Sequence, residues 1–176
     1  MKTIFVVGAG QGLGNRVAER FSEEGFRVVL MARNPARLQE YKAEFENKGI
    51  EAHIRVADAA SPDSITQVFG ELKQEFGVPD VLFYNVGNTT PDVSLQEAKN
   101  ADLLMKRYQA DVAGAYHAIQ QVLGDEFSEK KGTVPVTGGG LALHPADTYL
   151  PRPGRFLSRG CCLYGEEVSG ISLEKA

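Results

Sequence analysis

A glycine-rich loop near residue 10 has the clearest chemical potential in this sequence. Residues 8–14 read Gly-Ala-Gly-Gln-Gly-Leu-Gly, directly after the apolar run Ile4–Val7 and directly before an amphipathic helical pattern. Glycines let the backbone turn sharply and approach a phosphate closely, and the free N–H groups at the start of the following helix attract negative charge. The pattern therefore predicts a loop that binds a nucleotide pyrophosphate. The alternative is an ordinary tight turn between a strand and a helix.

The spacing of these glycines narrows the kind of nucleotide-binding loop. The dinucleotide pattern G-x-G-x-x-G is not met from Gly8 or from Gly10, whereas G-x-x-x-G-x-G is met by Gly8, Gly12 and Gly14. With this loop the chain resembles the short-chain dehydrogenase/reductase family, and the resemblance extends from residue 1 to about residue 149. It implies a dinucleotide cofactor whose pyrophosphate lies against Gly8, Gln11, Gly12, Leu13 and Gly14.

The end of the second predicted strand holds the residues that would select the cofactor. The sequence there is Met31-Ala32-Arg33-Asn34, with no acidic residue to accept a hydrogen bond from the 2′-hydroxyl of an adenosine ribose. An arginine at this position would pair with a 2′-phosphate instead. Arg33 and the Asn34 amide therefore favour NADP(H) over NAD(H). The alternative for Arg33 is a solvated surface arginine.

Two later turns match family motifs, and the resemblance implies that both contact the cofactor. Asp58 follows the third predicted strand, where the family has an Asp that contacts the adenine amino group with help from the next residue, here Ala59. Asn85-Val86-Gly87 follows the fourth strand and is similar to the family's Asn-Ala-Gly, which passes beneath the nicotinamide ribose and needs a small or flexible residue. The alternative in each case is a plain turn.

The catalytic residues that the resemblance implies are largely replaced. The family uses a Tyr as general acid, a Lys four residues later that lowers its pKa, and a Ser about a dozen residues earlier. Tyr149 stands near the tyrosine position, but Pro153 occupies the lysine position and Gly138, beside Thr137, the serine position. A free tyrosine has a pKa of about 10, so without a nearby cation it titrates far from neutral pH. Tyr149 is the candidate acid, and a surface or core-edge tyrosine is the alternative.

Asp111 replaces a further residue of the family's proton relay. The stretch Asp111-Val112-Ala113-Gly114 is similar to the family's Asn-Val-x-Gly, in which the Asn helps to hold the catalytic lysine through a water. A carboxylate at this position departs from that pattern, so Asp111 is a candidate for a structural part of the relay only. The three histidines have no metal-ligand spacing, so no metal is expected; they are His53, His117 and His144.

Short apolar runs alternate with helical patterns, which predicts a parallel sheet with helices on its faces. The predicted strands are Thr3–Val7, Arg27–Met31, Ile50–Val56, Val81–Tyr84 and Gly132–Val136. The predicted helices include one whose buried stripe is Leu13, Val17, Ala18 and Phe21, two that open at Asn34-Pro35 and Ser61-Pro62, and a long one over Ala101–Phe127. The family resemblance implies a Rossmann-type, doubly wound α/β sandwich of three layers, with strand order 3-2-1-4-5 and the cofactor between the first and fourth strands.

The regular pattern ends near Tyr149, so we expect a dinucleotide-binding domain over residues 1–149 and an irregular segment over residues 150–176. The later segment has neither a helical nor a strand period, and both cysteines, Cys161 and Cys162, lie in it. It is either a flexible tail or the product of an interrupted reading frame, and we favour the second. The family's later strands and its helix with Tyr and Lys are not recognisable, so the fold is expected to be incomplete at this end.

Composition limits the possible partners and location. The chain has 176 residues, 43% hydrophobic residues, 24% charged residues and a net charge of −4, which suits one globular domain. The net negative charge argues against sequence-independent binding to nucleic acid or to an anionic membrane. Two adjacent cysteines form no disulfide framework, so we expect a cytoplasmic protein. The resemblance implies a possible homo-oligomer through the 101–127 helix.

Two functions remain open at this point. The first is an NADP-dependent oxidoreductase that transfers hydride between the cofactor and an unidentified carbonyl or alcohol. The second is an NADP-binding module without turnover, as a degenerate or truncated relative. A methyltransferase that uses S-adenosylmethionine ranks lower, because it would need an acidic residue where Arg33 stands.

Overall fold

The computed structural model describes residues 1–87 and 102–138. Strands and helices alternate along the first part and helices dominate the second. The strands are β1 (Thr3–Val7), β2 (Arg27–Ala32), β3 (Ala52–Val56) and β4 (Val81–Tyr84). The helices are α1 (Leu13–Glu23), α2 (Pro35–Glu46), α3 (Pro62–Phe76), α4 (Asp102–Tyr108), a π-helix (Gln109–Ala113), α5 (Gly114–Val122) and α6 (Asp125–Glu129).

The four strands form one parallel sheet in the order β3-β2-β1-β4. In its centre Val6 of β1 pairs with Leu30 of β2 on one side and with Phe83 of β4 on the other. The chain thus winds outward from β1 to β3 and then returns to the opposite side of β1 for β4. This reversal opens a crevice at the carboxyl ends of β1 and β4, where doubly wound sheets bind ligands. The predicted fold class is confirmed.

Side chains of each strand alternate between two cores, one on each face of the sheet. Ile4 and Val6 pack with α1 and α2, whereas Phe5 and Val7 pack with α3 and α5. The ring of Phe5 meets Phe69 of α3 edge to face, with centroids 5.9 Å apart. Each fully buried side chain of this size stabilises the fold by about 1.5–3 kcal/mol, so both layers of helices are needed to hold the sheet.

The predicted fifth strand is present only as a run beside β4, not as a regular strand. Val81 and Tyr84 form isolated parallel bridges with Thr133 and Val136. The N–H of Leu82 donates to the carbonyl of Thr133 at 3.0 Å, and the N–H of Tyr84 donates to that of Pro135 at 3.0 Å. Pro135 has no N–H to return to the carbonyl of Leu82, which breaks the ladder. The position beside β4 agrees with the expected order, but the prediction of a continuous strand was wrong.

The predicted stripe of α1 was wrong at its first residue. Ala18 is fully buried and Val17 and Phe21 are partly buried, whereas the side chain of Leu13 is 54% exposed. Leu13 is the first residue of α1, directly after the N-cap Gly12. Its side chain is therefore not part of the core that the later residues of α1 join.

The long helix predicted over Ala101–Phe127 is interrupted twice within the described residues. The π-helix Gln109–Ala113 separates α4 from α5, and Leu123 adopts an extended conformation (φ −61°, ψ 134°) that ends α5. A π-turn contains one extra residue, which shifts the buried stripe around the helix axis. Tyr108 at the end of α4 is accordingly 45% exposed, while Ala115 and Ala118 of α5 are fully buried. No helix in the described ranges is both long and apolar enough to cross a membrane.

Candidate functional site

The glycine-rich loop closes the crevice on the side of β2. The N–H groups of Gly8 and Ala9 both donate to the carbonyl of Met31, each at 2.9 Å. This shared acceptor ties the first turn of the loop to the end of the neighbouring strand. Backbone hydrogen bonds to β2 therefore help to hold the loop at the switch point of the sheet.

Gly8 and Gly14 are glycines because the fold leaves no space for a side chain. Gly8 has a φ of +90°, and a Cβ there would lie 2.5 Å from the carbonyl oxygen of Asn85. A Cβ at Gly14 would lie 2.8 Å from the carbonyl oxygen of Gly8. Both atoms belong to backbone that cannot move aside, so these two glycines let the loop, α1 and the end of β4 come into contact.

Gly10 and Gly12 have a different surrounding. A Cβ at either position would have no neighbouring atom within 4 Å among the described residues. The backbone N–H groups next to this space have no acceptor within the described ranges; they belong to Gln11, Gly12, Leu13 and Gly14. An anion fits such an arrangement, because unpaired N–H groups at a helix start carry partial positive charge. The loop thus has the open cradle that a dinucleotide pyrophosphate requires.

Asn15 fixes the shape of this cradle and was missed by the sequence reasoning. Its side-chain oxygen accepts a hydrogen bond from the N–H of Gly10 at 3.0 Å, and the backbone N–H of Asn15 donates to the carbonyl of Gly10 at 3.1 Å. The residue is only 4% exposed. A signal was available: Asn15 stands three residues before Ala18 on the buried stripe of α1, where a polar side chain needs a local partner.

The residues after β4 support the loop from below. The side-chain nitrogen of Asn85 donates to the carbonyl of Gly8 at 3.1 Å, so this amide is engaged by the loop itself. Val86 packs against the core under α3 and α5. Gly87 is exposed, and a Cβ there would meet no described atom within 4 Å. The described part of the protein therefore does not itself require a glycine at position 87.

Arg33 and Asn34 lie at the rim of the crevice, directly after β2, and both are exposed. The Asn34 side-chain oxygen accepts from the N–H of Arg37 at 3.1 Å and caps α2. Arg33 has no hydrogen bond or ion pair with any other residue in the described ranges. Arg37, by contrast, pairs with Glu40 at 2.9 Å. Arg33 is thus a cation at the rim whose charge no described carboxylate neutralises.

Asp58 and Ala59 form a tight turn after β3. One carboxylate oxygen of Asp58 accepts from the N–H of Ala60 at 3.0 Å, and the hydroxyl of Ser64 accepts from the N–H of Asp58 at 3.0 Å. The turn alternative is thus present in the structure, and it leaves the second carboxylate oxygen of Asp58 without a described partner. Ala59 is 6% exposed, and its carbonyl faces Gly114.

Tyr84 lies beneath the centre of the crevice, between the Asp58 turn and the π-helix. It is 1% exposed, and its hydroxyl donates to the carbonyl of Ala110. Burial, reinforced by the negative charges of Asp111 and Asp58, raises the pKa of Tyr84 well above its ordinary value of 10.0. The buried phenol is therefore a weaker proton donor than a free tyrosine, and its hydroxyl hydrogen is already engaged by Ala110.

The structure places two of the four relay positions. Asp111 lies in the π-helix, and Gly138 is exposed at the end of the run beside β4, after Thr137, whose N–H and hydroxyl both donate to the carbonyl of Tyr84 (3.0 and 3.3 Å). Tyr149 and Pro153 lie outside the described residues. In the ranges that the structure describes, no three His, Cys, Asp or Glu side chains come together as a metal site would require.

Comparison with known proteins gives a consistent picture. The family model described as short chain dehydrogenase matches residues 2–146. An uncharacterised oxidoreductase of Mycobacterium tuberculosis is 28% identical over 171 residues, covering 97% of this chain and 60% of that protein. Diacetyl reductase of Staphylococcus epidermidis is 32% identical over 136 residues, covering 76% of this chain and 51% of that protein. The chain thus spans about half to three fifths of the length of these two relatives.

Solved structures share the fold at lower identity. An actinorhodin polyketide ketoreductase with NADPH matches with a TM-score of 0.88 and 23% identity, covering 98% of this chain and 67% of that one. An NAD⁺-bound xylitol dehydrogenase matches with a TM-score of 0.77 and 24% identity, covering 93% and 61%. Both kinds of nicotinamide cofactor therefore occur among proteins of this fold.

Substitutions at Gly12 and Gly14 are expected to affect different properties, dinucleotide binding and stability respectively. Gly14→Val places side-chain atoms against the backbone of Gly8 and should lower the free energy of unfolding by at least about 1–3 kcal/mol. Gly12→Val meets open space, so stability should change by no more than about 0.5 kcal/mol, while dinucleotide binding should be lost because the side chain fills the cradle. Denaturant unfolding and titration calorimetry measure the two effects. Unchanged dinucleotide affinity in Gly12→Val would mean that the loop is only a turn.

Proposed function

The chain belongs to the short-chain dehydrogenase/reductase family, and on that premise we propose that it binds NADP(H) in the crevice between β1 and β4. The observation that carries this proposal is the open half of the glycine loop. Gly10 and Gly12 are not required by any described contact, and the N–H groups beside them are unpaired within the described ranges. A pyrophosphate would supply the missing acceptors.

The choice of NADP(H) over NAD(H) rests on Arg33. The fold alone leaves the cofactor undecided, since its solved representatives include both NADPH and NAD⁺ complexes. Arg33 stands at the rim after β2, exposed and without a described carboxylate partner. A guanidinium there would pair with a 2′-phosphate, and the Asn34 amide nitrogen would add a donor beside it. Asp58 would face the adenine with its second carboxylate oxygen.

The activity we propose is hydride transfer between this cofactor and a small carbonyl or alcohol, by descent from the family. When bound, the reduced cofactor supplies a hydride to the carbonyl carbon, and a protein group must supply the proton to the carbonyl oxygen. Tyr84 does not meet this need, since its hydroxyl is buried and donates to Ala110. Tyr149 remains the proposed acid, and Asp111 a structural part of its relay.

The alternative function is an NADP-binding module without turnover. It is favoured by the replaced relay positions, because Gly138 has no hydroxyl to hold a substrate oxygen and Pro153 has no cation to lower a tyrosine pKa. Cofactor binding is common to both functions. Turnover is what separates them.

We further propose that the chain forms a homo-oligomer through the region 101–127, for which the sequence predicts one long helix. Met105, Tyr108 and Tyr116 are 53%, 45% and 59% exposed, which is unusual for large apolar side chains on neighbouring helices. A second copy of the same surface would cover them. In sedimentation velocity, Tyr116→Glu should be shifted towards the monomer relative to the unmodified chain. An unmodified chain that stays monomeric at high concentration would contradict the proposal.

Removal of the Arg33 side chain should abolish the cofactor preference. A charge-assisted hydrogen bond contributes about 1.5–3 kcal/mol, so NADPH should bind roughly tenfold to a hundredfold more tightly than NADH, and Arg33→Ala should remove most of this difference. Arg37→Ala is the matched control, since Arg37 is also exposed but pairs with Glu40. Calorimetric titration of both cofactors measures the preference. Equal affinities in the unmodified protein would refute the assignment to NADP(H).

Because relay positions are replaced, we expect any hydride transfer by the 176-residue chain to be too slow to appear as appreciable carbonyl reduction. Loss of a positioned general acid alone lowers a rate by about 10²–10⁴, and three relay positions are changed here, at Asp111, Gly138 and Pro153. The measurement is NADPH oxidation with a panel of ketones, aldehydes and quinones, with Tyr149→Phe as the control. Clear turnover that disappears in Tyr149→Phe would instead establish the enzyme and show that another cation, such as Arg152 or Arg155, replaces the lysine.

A further inference from the structure

The π-helix Gln109–Ala113 is hydrogen-bonded to the end of the strand beneath it. In an α-helix the N–H of Gly114 would donate to the carbonyl of Ala110, four residues earlier. Here it donates to the carbonyl of Gln109, five residues earlier, which is the π-helical pattern. The carbonyl of Ala110 instead accepts a hydrogen bond from the phenol of Tyr84. The phenol thus stands where the α-helical donor would be.

Gly114 allows this exchange of partners. A Cβ at Gly114 would overlap the carbonyl oxygen of Ala59 and would lie 2.6 Å from the hydroxyl oxygen of Tyr84. The helix is therefore pressed onto the turn after β3 and onto the end of β4 at a single point. Tyr84 is 1% exposed there, so its hydroxyl has little access to water as an alternative partner.

We propose that Tyr84 is a positioning residue whose hydroxyl holds the π-helix open and thereby sets the place of Asp111 at the crevice. Asp111 directly follows Ala110, so it moves with the carbonyl that the phenol holds. The core between α3 and the sheet fixes α5, since Ala115 and Ala118 are fully buried in it. Loss of the hydroxyl would let Ala110 take back the N–H of Gly114. The extra residue would then leave the turn, and Asp111 and α4 would rotate by about 100° relative to α5.

The proposal deepens the proposed function, because the crevice beside Asp111 matters only if a cofactor or substrate enters it. The hydrogen-bond exchange itself does not depend on any ligand. Gly114 lies between the Tyr84 hydroxyl and the carbonyl oxygen of Ala59, in the turn proposed to face the adenine. The Tyr84 hydroxyl is therefore close to both the Asp111 side and the Ala59 side of the proposed cofactor site.

Tyr84→Phe in the full, ligand-free chain tests the proposal, with Tyr41→Phe as matched control. Tyr41 lies on α2, is 7% exposed and packs on the opposite face of the sheet, so its replacement removes a buried phenol hydroxyl without touching the π-helix. In Tyr84→Phe we expect hydrogen exchange at the amides of residues 110–115 to change by about tenfold, the size of one hydrogen bond. The carboxyl ¹³C resonance of Asp111 should shift as well. Both should remain unchanged in Tyr41→Phe.

Replacement of Tyr84 by 4-aminophenylalanine, which retains a donor, should restore both signals. If Tyr84→Phe does not fold, 4-fluorophenylalanine at position 84 fills the space of the hydroxyl without donating and takes its place. Unchanged exchange and an unchanged Asp111 resonance in the variant without a donor would overturn the proposal. Titration with NADPH is a separate measurement: absence of binding in the unmodified chain would contradict the proposed function and leave the result on Tyr84 standing.

Discussion

Direct contact between two stretches of backbone, at the ends of β1 and β4, sets the geometry of the whole site. Gly8 approaches Asn85 so closely that no side chain fits between them, and the Asn85 amide donates to the carbonyl of Gly8 at 3.1 Å. That same carbonyl lies against Gly14, at the start of α1. The contact between Gly8, Gly14 and Asn85 therefore fixes the loop, the start of α1 and the end of β4 relative to one another. The N–H groups of residues 11–14, which have no acceptor in the part of the chain that the structure describes, remain available to a ligand.

The order of the four paired strands and the place of the glycine loop could be predicted from the sequence because their signals are local. Apolar runs of four to six residues, Asn34 and Ser61 as helix caps, and the spacing of Gly8, Gly12 and Gly14 each depend on a short stretch of chain. What a residue meets across the fold is not local. The division of the loop glycines into two that the fold requires and two that it does not depends on Asn85, far along the chain.

The errors have the same origin. The apolar residues at 132–136 predict a strand. Whether a ladder forms depends on whether the missing N–H of Pro135 faces the neighbouring strand, which is known only once β4 is beside it. A single helix was predicted over 101–127 from its periodicity, yet the Tyr84 phenol replaces one helical hydrogen bond and inserts a π-turn. Leu13 fits the stripe of α1, but no buried residue of the described ranges covers it and its side chain is largely exposed. Each outcome depends on a partner that is distant in sequence.

The pairing of β1 with β4 also has a consequence for folding kinetics. The hydrogen bonds from the N–H of Thr3 to Asp80 and from Asn85 to Gly8 each close a span of 77 residues. Contacts between such distant residues form late, because the entropy of closing a long loop must be overcome first. The glycine loop cannot take its observed shape before that step, so affinity for the proposed cofactor would arise only once β4 has joined the sheet. A dinucleotide would then act as a folding ligand: it would bind only chains that have joined β4 to β1 and would slow their unfolding.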